Sequence, residues 1–328
     1  MKDPTITNKI LKWYDLNKRS LPWRKKVSQE KKEYYTLISE FMLQQTQVAT
    51  VIPYFQRFIK SIPNIEKLSK FNDEKLIKLW EGLGYYSRVR NLKKTAQIVV
   101  KDFNKRLPQS FTDLKSLPGI GDYTASAISA IAFNKPLIPL DGNIERVLKR
   151  LLYLKKQNQI KKENLQKYKK VFGISVNRSS DYAQALMELG ALICKPVNPL
   201  CKQCPILKKC ESFRNQDFEL VKLKKKDKQT FYKLNVYKKN DQYLLIKNDK
   251  FKFLKNFDIF PMEELISPKN FNKDLNFKIS NMNMNIKIEY KNKFNLDGKV
   301  HWIDPKKLQK YTLPTFTKKI VKFLENQK

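Results

Sequence analysis

Leu117-Pro118-Gly119-Ile120-Gly121-Asp122-Tyr123-Thr124-Ala125 carries more structural information than any other stretch of this chain. Two glycines flanking one apolar residue predict a tight hairpin whose backbone can approach a ligand closely. The small-residue helix expected from about Tyr123 then points its free N–H groups and its positive dipole end outward, a geometry that grips a phosphate without reading sequence. A Gly-x-Gly alone also fits an ordinary interhelical turn. With Leu-Pro before it, a small-residue helix after it and a net charge of +36 around it, it reads as a phosphate-gripping hairpin between two helices.

The charge supports that reading. Lys and Arg total 67 against 31 Asp and Glu in 328 residues, a surface that repels itself unless a polyanion shares it. An AT-rich genome explains Lys in place of Arg, but not the shortage of acids, so nucleic acid is the expected partner. No apolar run approaches the roughly 20 residues of a membrane span, which predicts a soluble chain, and no targeting segment is read.

Around the hairpin the chain reads as helical over residues 1–215. Apolar residues recur at three and four in Tyr34-Leu37-Ile38-Phe41-Met42, in Val48-Ile52-Phe55-Ile59 and in Leu76-Leu79-Trp80. Pro53, Pro63, Pro108, Pro118 and Pro136 punctuate the run, most of them where a helix should begin or end. Residues 216–228 are polar, basic and aperiodic, and read as a linker. Beyond it, Phe231 to Ile246 alternates around a Lys-Asn-Asp turn, and Asn285 to Tyr290 alternates too, so residues 229–328 form a second, α+β domain.

All four cysteines, Cys194, Cys201, Cys204 and Cys210, fall within seventeen residues spaced C-x6-C-x2-C-x5-C. Four soft sulfur ligands suit a 4Fe–4S cluster or a structural zinc. Two disulfides are the alternative, disfavoured in a Lys-rich chain of cytosolic character. Zinc loops usually pair their ligands as two C-x2-C steps; the wide first gap here favours the cluster.

Two carboxylates occupy unusual places. Glu40 lies among Leu37, Ile38, Phe41, Met42 and Leu43, where partial desolvation would raise its pKa and keep it a proton donor near neutral pH. Such a glutamate can equally sit on a solvated helix face. Asp141, before Gly142-Asn143-Ile144, has the pattern of a helix N-cap, a role compatible with a second one. One raised-pKa acid plus one ionised carboxylate is the pair that cleaves a glycosidic bond.

Together these stretches resemble the helix-hairpin-helix DNA glycosylases that carry an iron–sulfur cluster, and among them the mismatch-specific adenine DNA glycosylase (MutY) branch. Leu21-Pro22-Trp23-Arg24, Ser39 to Thr46, Gly82 to Arg88, Leu117 to Gly121 with Tyr123, Leu140 to Asn143 and the cysteine loop run in family order over the first ~210 residues. The resemblance implies a multidomain chain. An all-α helix-hairpin-helix glycosylase core comprises a six-helix part of about residues 22–132 and a cluster-bearing part of about 1–21 and 133–215. A Nudix-like α+β domain over 229–328 follows. It further implies a monofunctional, monomeric, cytoplasmic and nucleoid-associated enzyme acting on double-stranded DNA, which flips out adenine mispaired with 8-oxoguanine or guanine and hydrolyses its N-glycosidic bond.

By the same resemblance Glu40 is the general acid, Asp141 stabilises the sugar cation, and Tyr123 and Asn143 hydrogen-bond around them. Cys194, Cys201, Cys204 and Cys210 hold a 4Fe–4S cluster. Trp23, Arg24, Gln45, Thr46, Tyr85, Arg88, Leu117, Gly119, Ile120 and Gly121 contact DNA, with Gln45 and Tyr85 wedging into the duplex. Tyr123 stands where the related endonuclease III branch has a lysine that forms a Schiff base and cleaves the strand, and a tyrosine cannot form that imine. The C-terminal domain departs from the family pattern. Phe253 to Pro261 replaces a glycine-containing Leu-Trp-Glu-Phe-Pro segment, no acidic Nudix box is present, and Ile279-Ser280-Asn281 replaces the Phe-Ser-His that reads 8-oxoguanine, leaving Ser280 as the residue to contact the damaged base. The competing readings are an endonuclease III-type lyase and a catalytically inactive iron–sulfur protein that only binds DNA.

Overall fold

Ser28 starts the helix that carries Glu40: its hydroxyl accepts from the Lys31 N–H at 3.4 Å and opens α2, Gln29–Leu43. Leu37, Ile38, Phe41 and Met42 on this helix are fully buried, and each stabilises the fold by roughly 1.5–3 kcal/mol. The computed structural model describes residues 4–155, 163, 167–173, 177–219, 227–266, 268–279, 281–293 and 300–327.

Before α2 lies α1 (Pro4–Asn17), and after it come α3 (Val48–Ser61), α4 (Ile65–Lys70), α5 (Asp73–Trp80), α6 (Ser87–Asp102), α7 (Phe111–Ser116), α8 (Asp122–Ile131) and α9 (Gly142–Leu151). Pro53 does not end a helix. It lies inside α3, where Val51, Phe55 and Phe58 bury one face and hold the helix through the lost backbone bond. The end of α2 is closed by Arg88, a buried residue reaching back from α6. Its Nη1 donates to the carbonyls of Phe41, Met42 and Gln44, and its Nη2 to Thr46 Oγ1 at 3.2 Å.

A second helical core gathers α1, α9, the helix Ser179–Glu188 and the π-helical turn Leu189–Ile193 around Ile10, Tyr14, Ile144, Leu148, Phe172 and Leu186. The cysteine loop leaves this core directly after the π turn, and Cys194, Cys204 and Cys210 pack against it.

From residue 228 onward the chain is β-rich. One sheet has the order β5-β1-β7-β6 and the other β2-β3-β4 with β8 on the far side of β3. β1 (Lys228–Val236) pairs in parallel with β7 (Met282–Tyr290) and antiparallel with β5 (Met262–Leu265), and β6 (Leu275–Ile279) closes that sheet. The expected hairpin forms between β2 (Lys238–Lys239) and β3 (Gln242–Lys247). Its two-residue turn holds Asn240 and Asp241 at φ 49° and 58°, the left-handed pair that suits a twisted hairpin. β4 (Asp258–Ile259), β8 (Val300–Ile303) and a closing helix, Thr315–Glu325, complete it.

The contacts divide the chain into two units, Met1–Asn72 with Ser87–Lys222, and Asp73–Tyr86 with Leu223–Lys328. The second unit therefore takes in α5 and the loop after it, residues that lie within the helical stretch in sequence. The contacts responsible are an ion pair between Glu81 and Lys318, a bond from Lys78 Nζ to the Gln309 carbonyl at 3.1 Å, and Tyr86 packed on Phe257 with ring centroids 4.3 Å apart. Among the described residues no helix is long and apolar enough to cross a membrane.

Candidate active site

Glu40, on the last turn of α2, and Asp141, at the start of α9, line one cavity of about 1150 Å³ within the first unit. Tyr123, second residue of α8, and Asn143 line it too, with Trp23, Arg24, Thr46, Gln184 and Glu188. The cavity has room for a nucleoside, and Glu40, Tyr123 and Asp141 reach it from the termini of α2, α8 and α9.

Glu40 is 5% exposed, and its Oε2 is buried without a hydrogen-bond partner. Burial pushes its pKa up to about 7; the Tyr123 hydroxyl opposes the rise by hydrogen bonding, and the nearby Asp141 charge adds to it. A carboxyl oxygen buried without a donor disfavours the charged form, in the same direction as the burial-raised pKa. Tyr123 is itself pushed far up, first by burial and then by the two carboxylates, so it remains a neutral phenol.

Asp141 is the N-cap of α9. Its Oδ1 accepts from the Ile144 N–H at 2.7 Å, and its Oδ2 from Asn143 Nδ2 at 3.1 Å. Burial raises its pKa, while these bonds, the Asn143 backbone and Arg146 favour the carboxylate. The capping role and the cavity role coincide, since a cap leaves the carboxylate held by two donors at a helix N-terminus.

Arg146 extends the arrangement. Its Nη2 donates to Asn143 Oδ1 at 2.8 Å and to the Gly190 carbonyl at 2.7 Å, and its Nε donates to the Cys194 carbonyl at 2.7 Å. Gly190 lies so close to α9 that a Cβ there would sit 2.6 Å from Asn143 Cβ and 3.0 Å from its carbonyl atoms. Gly190→Ala is therefore expected to cost about 1–3 kcal/mol by overpacking, read as a lower urea midpoint with an unchanged slope. A midpoint equal to the parent's would show that the two elements have room to part.

Sequence reasoning missed Glu188 and Arg19. Glu188 is fully buried and accepts from Arg19 Nε at 2.7 Å and Nη2 at 2.9 Å, with Arg24 Nη1 at 2.8 Å from its Oε1. The signal that marked Glu40, an acid among apolar residues, was also present at Glu188 in Ala185-Leu186-Met187-Glu188-Leu189.

The residues expected at DNA divide by environment. Leu117 and Ile120 are buried anchors, so the hairpin offers its backbone rather than these side chains. Gly119 has φ 80°, and a Cβ there would meet Asn91 Cβ and Phe41 Cε1 at 2.9 Å, while Gly121 is the N-cap of α8 with open space beside it. Gln45 is exposed at φ 61°, a left-handed conformation unusual for glutamine. Trp23 packs edge-on against Phe55, with ring centroids 5.3 Å apart, and lines the cavity with Arg24 and Thr46. Arg88 is buried, and its guanidinium holds the end of α2 and the Gln44–Thr46 loop. In the second unit Tyr85 is 43% exposed at φ 47°. Ser280 lies outside the described residues.

The four cysteines are free thiols. Burial raises the pKa of Cys201, Cys204 and Cys210. Arg150 Nη1 lies 3.5 Å from Cys194 Sγ. The donor set and an adjacent buried cation fit an anionic thiolate-ligated group. Among the described residues no group of three or more His, Cys, Asp or Glu forms a site for a single metal ion.

Residues 38–172 match the family model described as "HhH-GPD superfamily base excision DNA repair protein", which sets that part of the chain in the class of base-excision repair proteins. The chain is 38% identical over 257 residues to the adenine DNA glycosylase of Buchnera aphidicola subsp. Schizaphis graminum, covering 77% of this chain and 73% of the relative. It is 40% identical over 213 residues to the human adenine DNA glycosylase, covering 62% of this chain and 38% of that protein. A thermostable thymine-DNA glycosylase structure superposes with a TM-score of 0.57 at 25% identity, over 65% of this chain and 96% of that one. An endonuclease III trapped on DNA shares the fold at a TM-score of 0.54 and 21% identity, over 66% of this chain and 99% of that one. The chain belongs to the adenine DNA glycosylase family and is a hydrolase of N-glycosidic bonds.

Proposed function

We propose that this chain excises adenine mispaired with 8-oxoguanine or guanine, flipping the adenine into the cavity beside Glu40 and hydrolysing its bond to the sugar without cutting the strand. The observation that carries this reading is the pair of unlike carboxyls in one cavity, Glu40 with its pKa pushed up by burial and an orphaned oxygen, and Asp141 held by two donors. Glu40 delivers its proton to adenine N7, which makes the base a better leaving group. Asp141 stabilises the oxocarbenium-like sugar as the bond breaks. Tyr123 lines the cavity beside Glu40, and Asn143, gripped by Arg146, orients Asp141.

Gly119 and Gly121 present backbone N–H groups to a phosphate near the flipped nucleotide, and Gln45 and Tyr85 fill the space it leaves. Their left-handed backbone supports that use, since strained exposed side chains gather at functional loops. The β-rich domain is Nudix-like and would read the base opposite the adenine. Asn281 stands where the family has histidine, so Ser280 carries the contact to 8-oxoguanine. Cys194, Cys201, Cys204 and Cys210 would hold a 4Fe–4S cluster, which supplies a cross-link of its loop and no step of the hydrolysis.

The test uses the full chain with duplexes bearing A:8-oxoguanine, A:G or an oxidised thymine, each with and without alkali. Free adenine with strand breaks appearing mainly after alkali is the expected result. Borohydride trapping on the oxidised-thymine duplex, with no adenine released from the others, would overturn the reading in favour of a lyase.

A further inference from the structure

Arg150 is 3% exposed at the C-terminal end of α9, and none of its hydrogen bonds among the described residues runs to a carboxylate. Its Nη1 donates to the Lys195 carbonyl at 2.6 Å and toward Cys194 Sγ at 3.5 Å, its Nη2 to the Pro196 carbonyl at 2.9 Å, and its Nε to the Phe218 carbonyl at 3.2 Å. Its own carbonyl lies 3.6 Å from Cys210 Sγ, so the residue spans the first and last cysteines of the loop. A guanidinium taken from water without a counter-ion is strongly unfavourable, and carbonyl dipoles offset only part of that. With neutral thiols the Arg150 guanidinium has no counter-ion among these contacts. A cluster ligated by four thiolates carries net negative charge and would compensate it.

We infer that Arg150 is the counter-ion and sulfur hydrogen-bond donor of the cluster, setting both how firmly the loop retains it and where it is reduced. The inference rests on the cluster reading given above. Charge and hydrogen bonds to sulfur are the levers a protein has on such a centre. Reduction adds an electron and one negative charge to the cluster, which the guanidinium stabilises, so its loss must disfavour the reduced form. The geometry also explains why the residue is an arginine. A planar fork reaches a sulfur and two carbonyls at once, which an ammonium cannot do.

The experiment compares the full-length protein with Arg150→Met and Arg150→Lys by iron and sulfide analysis, chelator-driven cluster loss and voltammetry on a DNA-coated electrode. Arg150→Met is expected to lose its cluster about tenfold faster. Its reduced-to-oxidised ratio at a fixed potential should fall about tenfold, equivalent to about 59 mV for a one-electron couple. Arg150→Lys, with the charge but not the fork, should lie between the two. If Arg150→Met accumulates no cluster, Arg150→Lys decides alone, and values equal to the parent's overturn the proposal. A loaded parent with Arg150→Met unchanged in retention and potential overturns it while leaving the cluster reading intact. A parent protein free of iron and sulfide overturns both.

Discussion

Glu40→Gln is expected to slow adenine excision about a thousandfold, some 4 kcal/mol in the barrier, while leaving affinity for an A:8-oxoguanine duplex within about twofold. Gln keeps the size and polarity of the side chain but cannot release a proton. The acid acts in the transition state, so its loss appears in the single-turnover rate and not in binding. Excision at the parent rate would remove Glu40 from the chemistry. The same variant has a signature in stability. Because the folded-state pKa of about 7 lies above the ordinary 4.5, the unfolded chain ionises first as pH rises. The parent therefore loses about 3 kcal/mol between pH 4.5 and 7, a slope the Gln variant lacks. Above pH 7 the inactive protein should be the more stable one, as expected where a fold tolerates a buried acid for function.

Asp141→Asn is expected to lower excision about a hundredfold to a thousandfold with little change in stability, because asparagine is as good an N-cap as aspartate. Oδ1 would still accept from the Ile144 N–H, so α9 starts where it does now. What disappears is the negative charge beside the sugar. Asp141→Ala, by contrast, should also lose about 1 kcal/mol of stability with the cap. Thermal melts of both variants beside single-turnover rates separate the two roles. Full activity in Asp141→Asn would reduce the residue to its cap.

How much of this was legible in the sequence follows from the range of the interactions. Glu40 was found because its neighbours in sequence are also its neighbours in space, the one-helix case in which apolar spacing reports burial. Asp141 was legible as a cap for the same reason, and the hairpin because glycines mark backbone conformation locally. The closing of α2 by Arg88 is not legible locally, because its partners lie 42 to 47 residues away. Arg19 and Glu188 pair across 169 residues and were not found at all. The division at Asp73 and Tyr86 depends on contacts with Phe257, Gln309 and Lys318, which local patterns cannot express. Gly190 resembles any helical glycine until the backbone of Asn143 is seen against it.

The pH dependence of single-turnover excision, parent against Glu40→Gln, bears most directly on the two unlike carboxyls. The proposed mechanism requires Glu40 protonated and Asp141 ionised, so the parent's rate should fall about tenfold per pH unit above about 7 and fall again in acid, a bell whose limbs belong to the coupled pair. The Gln variant should be slow throughout and lack the alkaline limb. An alkaline limb that survives in Glu40→Gln, at whatever rate, would mean that another group donates the proton.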